Sequence, residues 1–160
     1  MTRTLQTAIN MFPFLAEQAP FKIPVQIWPD LRETYDSICN NGLSRKELEA
    51  GFPQFDFSEC HAEWDYAWYE FERATERAER VRERLKGLEG RYANIAVVTH
   101  RGFKEFLVKG KRFGLAEVRR YRWATEEEAK DERVRWGVNS DSLGEQDFGP
   151  TVLVLDEGKR

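Results

Sequence analysis

Apolar residues recur at helical spacing in three stretches of the chain, and each stretch predicts a helix. The first, residues 4–14, ends at Pro13, because proline removes a helix hydrogen bond. The second, residues 72–88, carries a narrow apolar stripe on an otherwise charged cylinder, which is typical of a helix that packs one face against a core. The third spans residues 103–108 and ends at Gly110.

Two further helices are indicated by capping residues. Ser44 followed by Glu47 three positions later forms a capping box, and the helix that it begins is expected to stop at Gly51. Thr125 precedes the acidic run 126–128, the pattern of an N-cap with carboxylates in the first turn.

Short β-branched and aromatic runs predict four strands, at residues 25–27, 95–99, 118–123 and 152–155. The run 95–99 is almost continuously apolar, as in a strand buried on both faces of a parallel sheet. Residues 137–150 are predicted to form a flexible loop. Helices alternating with strands predict an α/β fold, with a mostly parallel sheet flanked by helices.

Length and composition place the chain among globular proteins. Its 160 residues fit a single domain spanning residues 1–160. The hydrophobic fraction of 41% is too high for a disordered chain, and 33% charged residues with a mean hydropathy of −0.68 exclude a membrane protein. A net charge of −3 has the wrong sign for a nucleic-acid partner.

The remaining sequence signals favour a cytoplasmic protein. The N-terminus lacks the basic and apolar regions of a signal peptide. Cys39 and Cys60 lie far apart, with no spacing that suggests a zinc site or a disulfide framework, so both are expected to be ordinary thiols.

His100 is the most informative candidate for chemistry. It lies where a predicted strand runs into a turn with Gly102, and in α/β sheets ligands bind at the carboxyl ends of strands. The alternative is a histidine that satisfies a core hydrogen bond. Arg3 and Glu33 are each unremarkable alone, because such residues are usually solvated. Together with His100 they supply a cation, a proton-donating carboxyl and an imidazole, the groups needed to hold and transfer a phosphoryl group.

Four segments, in this order and rough spacing, resemble the histidine phosphatase superfamily, and in particular its small phosphoglycerate-mutase-like members of fungal type. They are Arg3-Thr4-Leu5-Gln6-Thr7-Ala8, the segment 31–42 that begins Leu31-Arg32-Glu33, the helix 72–88, and Val97-Val98-Thr99-His100-Arg101-Gly102-Phe103. The resemblance implies a shortened phosphoglycerate-mutase-like fold. It also implies that the site requires neither a metal nor another cofactor.

The resemblance also implies roles for individual residues. Arg3 would clamp a phosphate, Glu33 would protonate the leaving oxygen, and His100 would hold the phosphoryl group from the side. Arg101 and Gly102 would contact the substrate, although the Arg101 side chain has the alternative of pointing into solvent. The expected partner is therefore a small anionic ligand that carries a phosphate or a carboxylate.

One departure from the family pattern changes the expected activity. Family members begin with an Arg-His-Gly motif that supplies the nucleophilic histidine, but here Arg3 is the third residue and His61 matches no family position. The chain is therefore expected to be truncated at its N-terminus relative to the family, and not to be a competent phosphatase. Because such a truncation would expose sheet edges, a homodimer is also expected.

Three alternatives stay open at this point. Glu33 and His100 can perform acid/base chemistry, such as an elimination or isomerisation, on an anionic metabolite. The chain can equally be a fragment of an active phosphomonoesterase. Finally, the aromatic stretch 64–71 can belong to an interaction module, although core packing explains it more simply.

Overall fold

The computed structural model describes four stretches of the chain: residues 1–16, 23–34, 42–62 and 71–158. Contacts within the chain divide it into two compact units. The first comprises residues 1–69 together with 97–100, and the second comprises residues 70–96 together with 101–160. A single domain over residues 1–160 stays a prediction.

The first unit is built from short helical elements. Its described residues form α1 (Thr2–Met11), a 3₁₀ turn at Pro13–Ala16, a second 3₁₀ turn at Pro29–Leu31, and α2 (Arg45–Gly51). The helix predicted over residues 4–14 is confirmed, and Pro13 ends it and opens the 3₁₀ turn. The capping box is confirmed as well: Ser44 Oγ accepts from Glu47 N, and Ser44 N donates to the Glu47 carboxylate at 2.8 Å.

The core of the first unit gathers apolar side chains from α1, α2 and the turns. Its buried members are Leu5, Leu15, Leu48, Phe55, Phe57 and Cys60. Polar side chains reach across this core to loop carbonyls, because buried backbone oxygens require partners. Gln54 Nε2 donates to the carbonyl of Leu15 at 3.2 Å, and Arg45 Nη1 donates to that of Cys60 at 3.3 Å.

The second unit packs α3 (Phe71–Lys86) against α4 (Arg101–Leu107). The stripe predicted along residues 72–88 is confirmed as the packing face, since Ala74, Ala78, Val81 and Leu85 are buried. The short helices α5 (Glu126–Lys130) and α6 (Glu132–Arg135) follow. Thr125 caps α5 as predicted, with Glu128 completing a second capping box.

Two antiparallel strand pairs belong to the second unit. Strand β1 (Tyr121–Trp123) pairs with β4 (Leu153–Leu155), and β2 (Trp136–Val138) pairs with β3 (Glu145–Asp147). The register sets Arg122 opposite Val154 and Gly137 opposite Gln146. Helices with small sheets are consistent with an α/β fold, but the strand pairs in the described ranges are antiparallel, so the mostly parallel sheet is not shown.

Three local predictions are wrong. Residues 95–99 form no strand, and the side chains of Ile95 and Val97 are 41% and 36% exposed instead of buried. Residues 25–27 form no strand either. In both cases the composition favours a strand, but a strand also needs a neighbour to pair with, and the described residues supply none for either segment. Conversely, residues 137–150 are not a flexible loop, because they contain most of the β2–β3 hairpin.

A buried arginine closes the end of α4. Arg82 of α3 is completely buried, and its Nη1 donates to the carbonyls of Phe106 and Leu107 at 3.0 and 3.1 Å. Its Nε and Nη2 donate to Glu79 Oε2 at 3.0 and 2.7 Å. The last carbonyls of a helix lack partners within the helix, and a cation there also complements the helix dipole. Arg82 therefore fixes α4, the helix that begins directly after His100.

Side-chain amides hold the β2–β3 hairpin against α4. The buried Asn139 donates through Nδ2 to the carbonyl of Glu105 at 3.2 Å and to Gln146 Oε1 at 3.1 Å. Gln146 in turn donates through Nε2 to the carbonyl of Phe106 at 2.7 Å. This hairpin is therefore fixed by polar contacts.

Within the described ranges, no helix combines the length and the apolar character needed to cross a bilayer.

Candidate functional site

Glu33 and His100 are brought together in the first unit. Glu33 Oε2 lies 3.8 Å from His100 Nδ1, and the two side chains are only 15% and 9% exposed. This distance exceeds that of a direct hydrogen bond, so the attraction between the groups depends on charge. It is strong only when the imidazole is protonated, and it is screened less than at the open surface because both groups are largely buried.

The Glu33 carboxylate is held by its neighbour in the chain. The backbone N–H of Thr34 donates to Glu33 Oε1 at 2.8 Å, and Thr34 Oγ1 lies 3.3 Å from the same oxygen. Thr34 is itself buried. One carboxylate oxygen is therefore occupied by Thr34, while the other faces the His100 ring. This division fixes the orientation of the carboxyl group towards the imidazole.

A second contact joins the two chain segments that carry this pair. Thr99 Oγ1 donates to the carbonyl of Leu31 at 2.6 Å, across 68 positions of the sequence. Thr99 directly precedes His100, and Leu31 lies two residues before Glu33 at the end of a 3₁₀ turn. Sequence reasoning missed both Thr34 and Thr99. The available signal was their position next to the two candidates, since threonine hydroxyls readily bond to nearby backbone groups.

The other candidates lie on helices. Arg3 lies on α1, where it is exposed, and its carbonyl accepts a 2.8 Å hydrogen bond from Thr7 Oγ1. Arg101 and Gly102 begin α4 in the second unit, the first exposed and the second buried. The roles of Arg3, Arg101 and Gly102 stay predictions. His61 is exposed, in keeping with its match to no family position.

Some predicted features lie outside the described residues. These are Cys39, the part of the second motif from residue 35 to 41, and residues 64–70 of the aromatic stretch. Among the residues that the structure does describe, no group of three or more histidine, cysteine, aspartate or glutamate side chains is placed to hold a metal ion. What the Glu33–His100 arrangement offers is a carboxyl and an imidazole, two groups that can each take up and release a proton.

Comparison with known proteins identifies the family of this chain. Residues 1–136 match the model of the histidine phosphatase superfamily (branch 1). The chain belongs to the histidine phosphatase superfamily. The superfamily match includes all five candidate residues, and it ends before strands β3 and β4.

A relative supports the same assignment at greater distance. A stretch of 61 residues is 38% identical to a probable phosphatase of Schizosaccharomyces pombe, and it covers 38% of this chain. That stretch spans only 27% of the length of the relative. No solved structure matches the chain.

Proposed function

We propose that this histidine phosphatase superfamily protein binds a small phosphate-bearing or carboxylate-bearing ligand at Glu33 and His100. The observation that carries the proposal is the 3.8 Å approach of the Glu33 carboxylate to the His100 imidazole, both largely buried. A protonated imidazole is a hydrogen-bond donor for an anionic oxygen. The nearby carboxylate favours that protonated form.

In this proposal the other candidates complete the binding of the anion. Arg3 contributes a planar donor fork that matches a phosphate or a carboxylate. Arg101 and Gly102, next to His100 in the sequence, contribute a guanidinium and a backbone N–H. When the ligand is an ester, the protonated form of Glu33 serves as the proton donor to the leaving oxygen, whereas the ionised form is the partner of the His100 imidazolium.

We further propose that the 160-residue polypeptide does not itself carry out phosphohistidine chemistry. It contains two histidines, His61 and His100, and neither stands in an Arg-His-Gly sequence. A group that acts as part of a catalytic set is not replaced by the remaining members, so its absence removes nearly all of the rate. This polypeptide would then bind a phosphate compound without turning it over.

The experiment compares the wild-type chain with His100→Ala, Glu33→Gln and the matched control His61→Ala. Binding of inorganic phosphate is measured by calorimetry, and hydrolysis is measured with an aryl phosphate. We expect His100→Ala to weaken phosphate binding at least about tenfold, because it removes a charge-assisted hydrogen bond, and His61→Ala to leave it unchanged. Equal affinity of the wild type and His100→Ala would refute the binding site. Turnover by the wild type but not by His100→Ala would refute the loss of phosphatase chemistry.

A second candidate function is acid/base catalysis on an anionic metabolite. It is favoured by the same pair, because a carboxyl beside an imidazole can remove a proton at one atom and return it at another. The test is exchange of carbon-bound hydrogen of small carboxylates and phosphates with deuterated solvent, followed by NMR. Exchange that requires both Glu33 and His100 would support this function, and its absence from the wild-type chain would eliminate it for the compounds tested.

The finer points of the family assignment are also proposals. If the chain is truncated relative to fungal-type phosphoglycerate-mutase-like proteins, the genomic sequence upstream of the Met1 codon lacks an in-frame Arg-His-Gly motif. If it is a fragment of an active phosphomonoesterase, that motif is present there. Sedimentation equilibrium tests the proposed homodimer, which is motivated by the sheet edges that the proposed truncation would expose.

A further inference from the structure

The hydrogen bond from Thr99 to Leu31 ties together the two segments that carry the Glu33–His100 pair. Its O···O distance of 2.6 Å is at the short end of the normal range for hydroxyl donors. Thr99 lies one residue from His100, and Leu31 lies two residues from Glu33. Only a few backbone torsions therefore separate this bond from either side chain, so a displacement at the bond also displaces Glu33 or His100. Both ends lie in the first unit.

We infer that Thr99 is a positioning residue, whose hydroxyl holds the Leu31–Glu33 segment so that the Glu33 carboxylate stays against the His100 imidazole. This inference rests on the proposed function, which gives the Glu33–His100 pair its role in binding an anion. Threonine suits this task because its branched Cβ restricts the side chain to few rotamers, which keeps the hydroxyl aimed at one acceptor.

Loss of the hydroxyl has a defined electrostatic consequence. Without it, the Leu31 carbonyl loses this donor, and Glu33 is less firmly held near the ring. The attraction between a carboxylate and an imidazolium falls as their separation grows. The imidazolium is then less stabilised, and the pH at which His100 loses its proton decreases. A purely structural threonine on the surface of the unit would not produce this change.

The experiment is an NMR titration of the histidine ring protons in the full chain without ligand. The chain has two histidines, so a His61→Ala variant assigns both sets of signals, and the exposed His61 serves as an internal reference. The variants are Glu33→Gln, Thr99→Val, which keeps the shape without the hydroxyl, and Thr99→Ser, which keeps the hydroxyl. Asp30 and Arg32, the other charged residues of the 29–34 segment, stay unchanged throughout.

We expect Glu33→Gln to lower the His100 titration midpoint by about 0.5 pH unit or more. Thr99→Val should shift it in the same direction, and Thr99→Ser should restore most of the wild-type value, with His61 constant in every case. If Thr99→Val does not fold, as judged by circular dichroism, Thr99→Ala takes its place, and it is expected to shift the midpoint in the same way.

Three results would overturn the inference. The first is a midpoint that moves in Glu33→Gln but not in Thr99→Val, and the second is a failure of Thr99→Ser to restore it. The third is an unchanged midpoint in Glu33→Gln, which would remove the electrostatic pair itself. Since no ligand is present, failure of phosphate to bind would count against the proposed function alone and would leave this titration intact.

Discussion

The buried Arg82 donates a 3.0 Å hydrogen bond to the carbonyl of Phe106, so the end of α4 is capped by a charged residue of α3. Burial lowers the pKa of this guanidinium, although an arginine remains charged in a protein. The partners that compensate this cost are Glu79 and the carbonyls of Phe106 and Leu107. The buried charge of the arginine therefore needs these partners, and the partners need the arginine as their hydrogen-bond donor.

Replacement of Arg82 by Met is expected to lower the free energy of unfolding by about 3–5 kcal/mol, because it leaves Glu79 and the two carbonyls without this donor. The measurement is urea denaturation of the wild type and the variant. Arg84→Ala, an exposed position on the same helix, is the control and is expected to change the free energy by less than about 0.5 kcal/mol. Equal losses in both variants would show that the buried contacts are not what stabilises α4.

Among the residues of the β2–β3 hairpin, Asn139 should be the one whose substitution lowers stability most. Its side chain donates to the Glu105 carbonyl and to Gln146, and its Oδ1 accepts from the backbone N–H groups of Asp141 and Ser142 at 3.1 and 3.0 Å. Asn139→Ala is expected to cost about 1–3 kcal/mol, since it leaves buried partners unsatisfied. Hydrogen exchange of the hairpin amides measures the effect locally. Unchanged protection in the variant would contradict this account.

The stability contributed by Glu128 should depend on pH. Hydrogen bonds from the Arg122 side chain and from the Thr125 backbone N–H lower the pKa of Glu128 to about 2. Because the folded value lies below that of an unfolded glutamate, about 4.3, this contribution is complete above that value. It is lost as the pH falls towards about 2.

The measurement is the urea midpoint of the wild type and of Glu128→Gln between about pH 6 and about pH 2. We expect the wild type to be more stable at the upper end and the difference to shrink on acidification. Glu126→Gln, a carboxylate removed from the same first turn, is the matched control. If the difference in urea midpoint between the wild type and Glu128→Gln stays constant over this range, the lowered pKa of Glu128 is disproved.

Cys60 should be chemically quiet in the folded chain. Burial raises the pKa of its thiol to about 11, and the side chain is inaccessible in the core of the first unit. At about pH 8 only about one thiol in a thousand would be a thiolate, the form that reacts. In a Cys39→Ser background, alkylation is expected to be slow until urea unfolds the chain. Fast alkylation of the native protein would mean that this core opens readily.

The sequence allowed prediction of the elements whose signals are local. The capping boxes at Ser44 and Thr125 and the stripe of α3 need only residues within a turn of one another, and all three are confirmed. The β2–β3 hairpin was missed because β3 contains no hydrophobic residue and β2 contains only two, Trp136 and Val138. Distant contacts through Asn139 and Gln146 hold it. The prediction for residues 95–99 failed for the opposite reason, since their composition favours a strand, but no partner strand for them lies in the part of the chain that the structure describes.

Prediction of the candidate site was also limited because contacts between distant parts of the sequence could not be foreseen. The chemistry of the side chains and the resemblance to the family singled out Glu33 and His100, and the structure places them side by side. The residues around them were not foreseen, because the bond from Thr99 to Leu31 depends on where the chain returns 68 positions later. The roles of Arg3, Arg101 and Gly102 stay predictions.

The assignment of residues 97–100 to the first unit has a consequence for dividing this protein into pieces. The chain enters the second unit at residue 70, returns for these four residues, and leaves again between His100 and Arg101. No single cut can therefore yield two self-contained halves. A fragment that ends at residue 69 carries Glu33 but lacks His100, so expression of the first unit alone would require a graft of residues 97–100. Expression of the second unit alone would require a linker in place of these four residues.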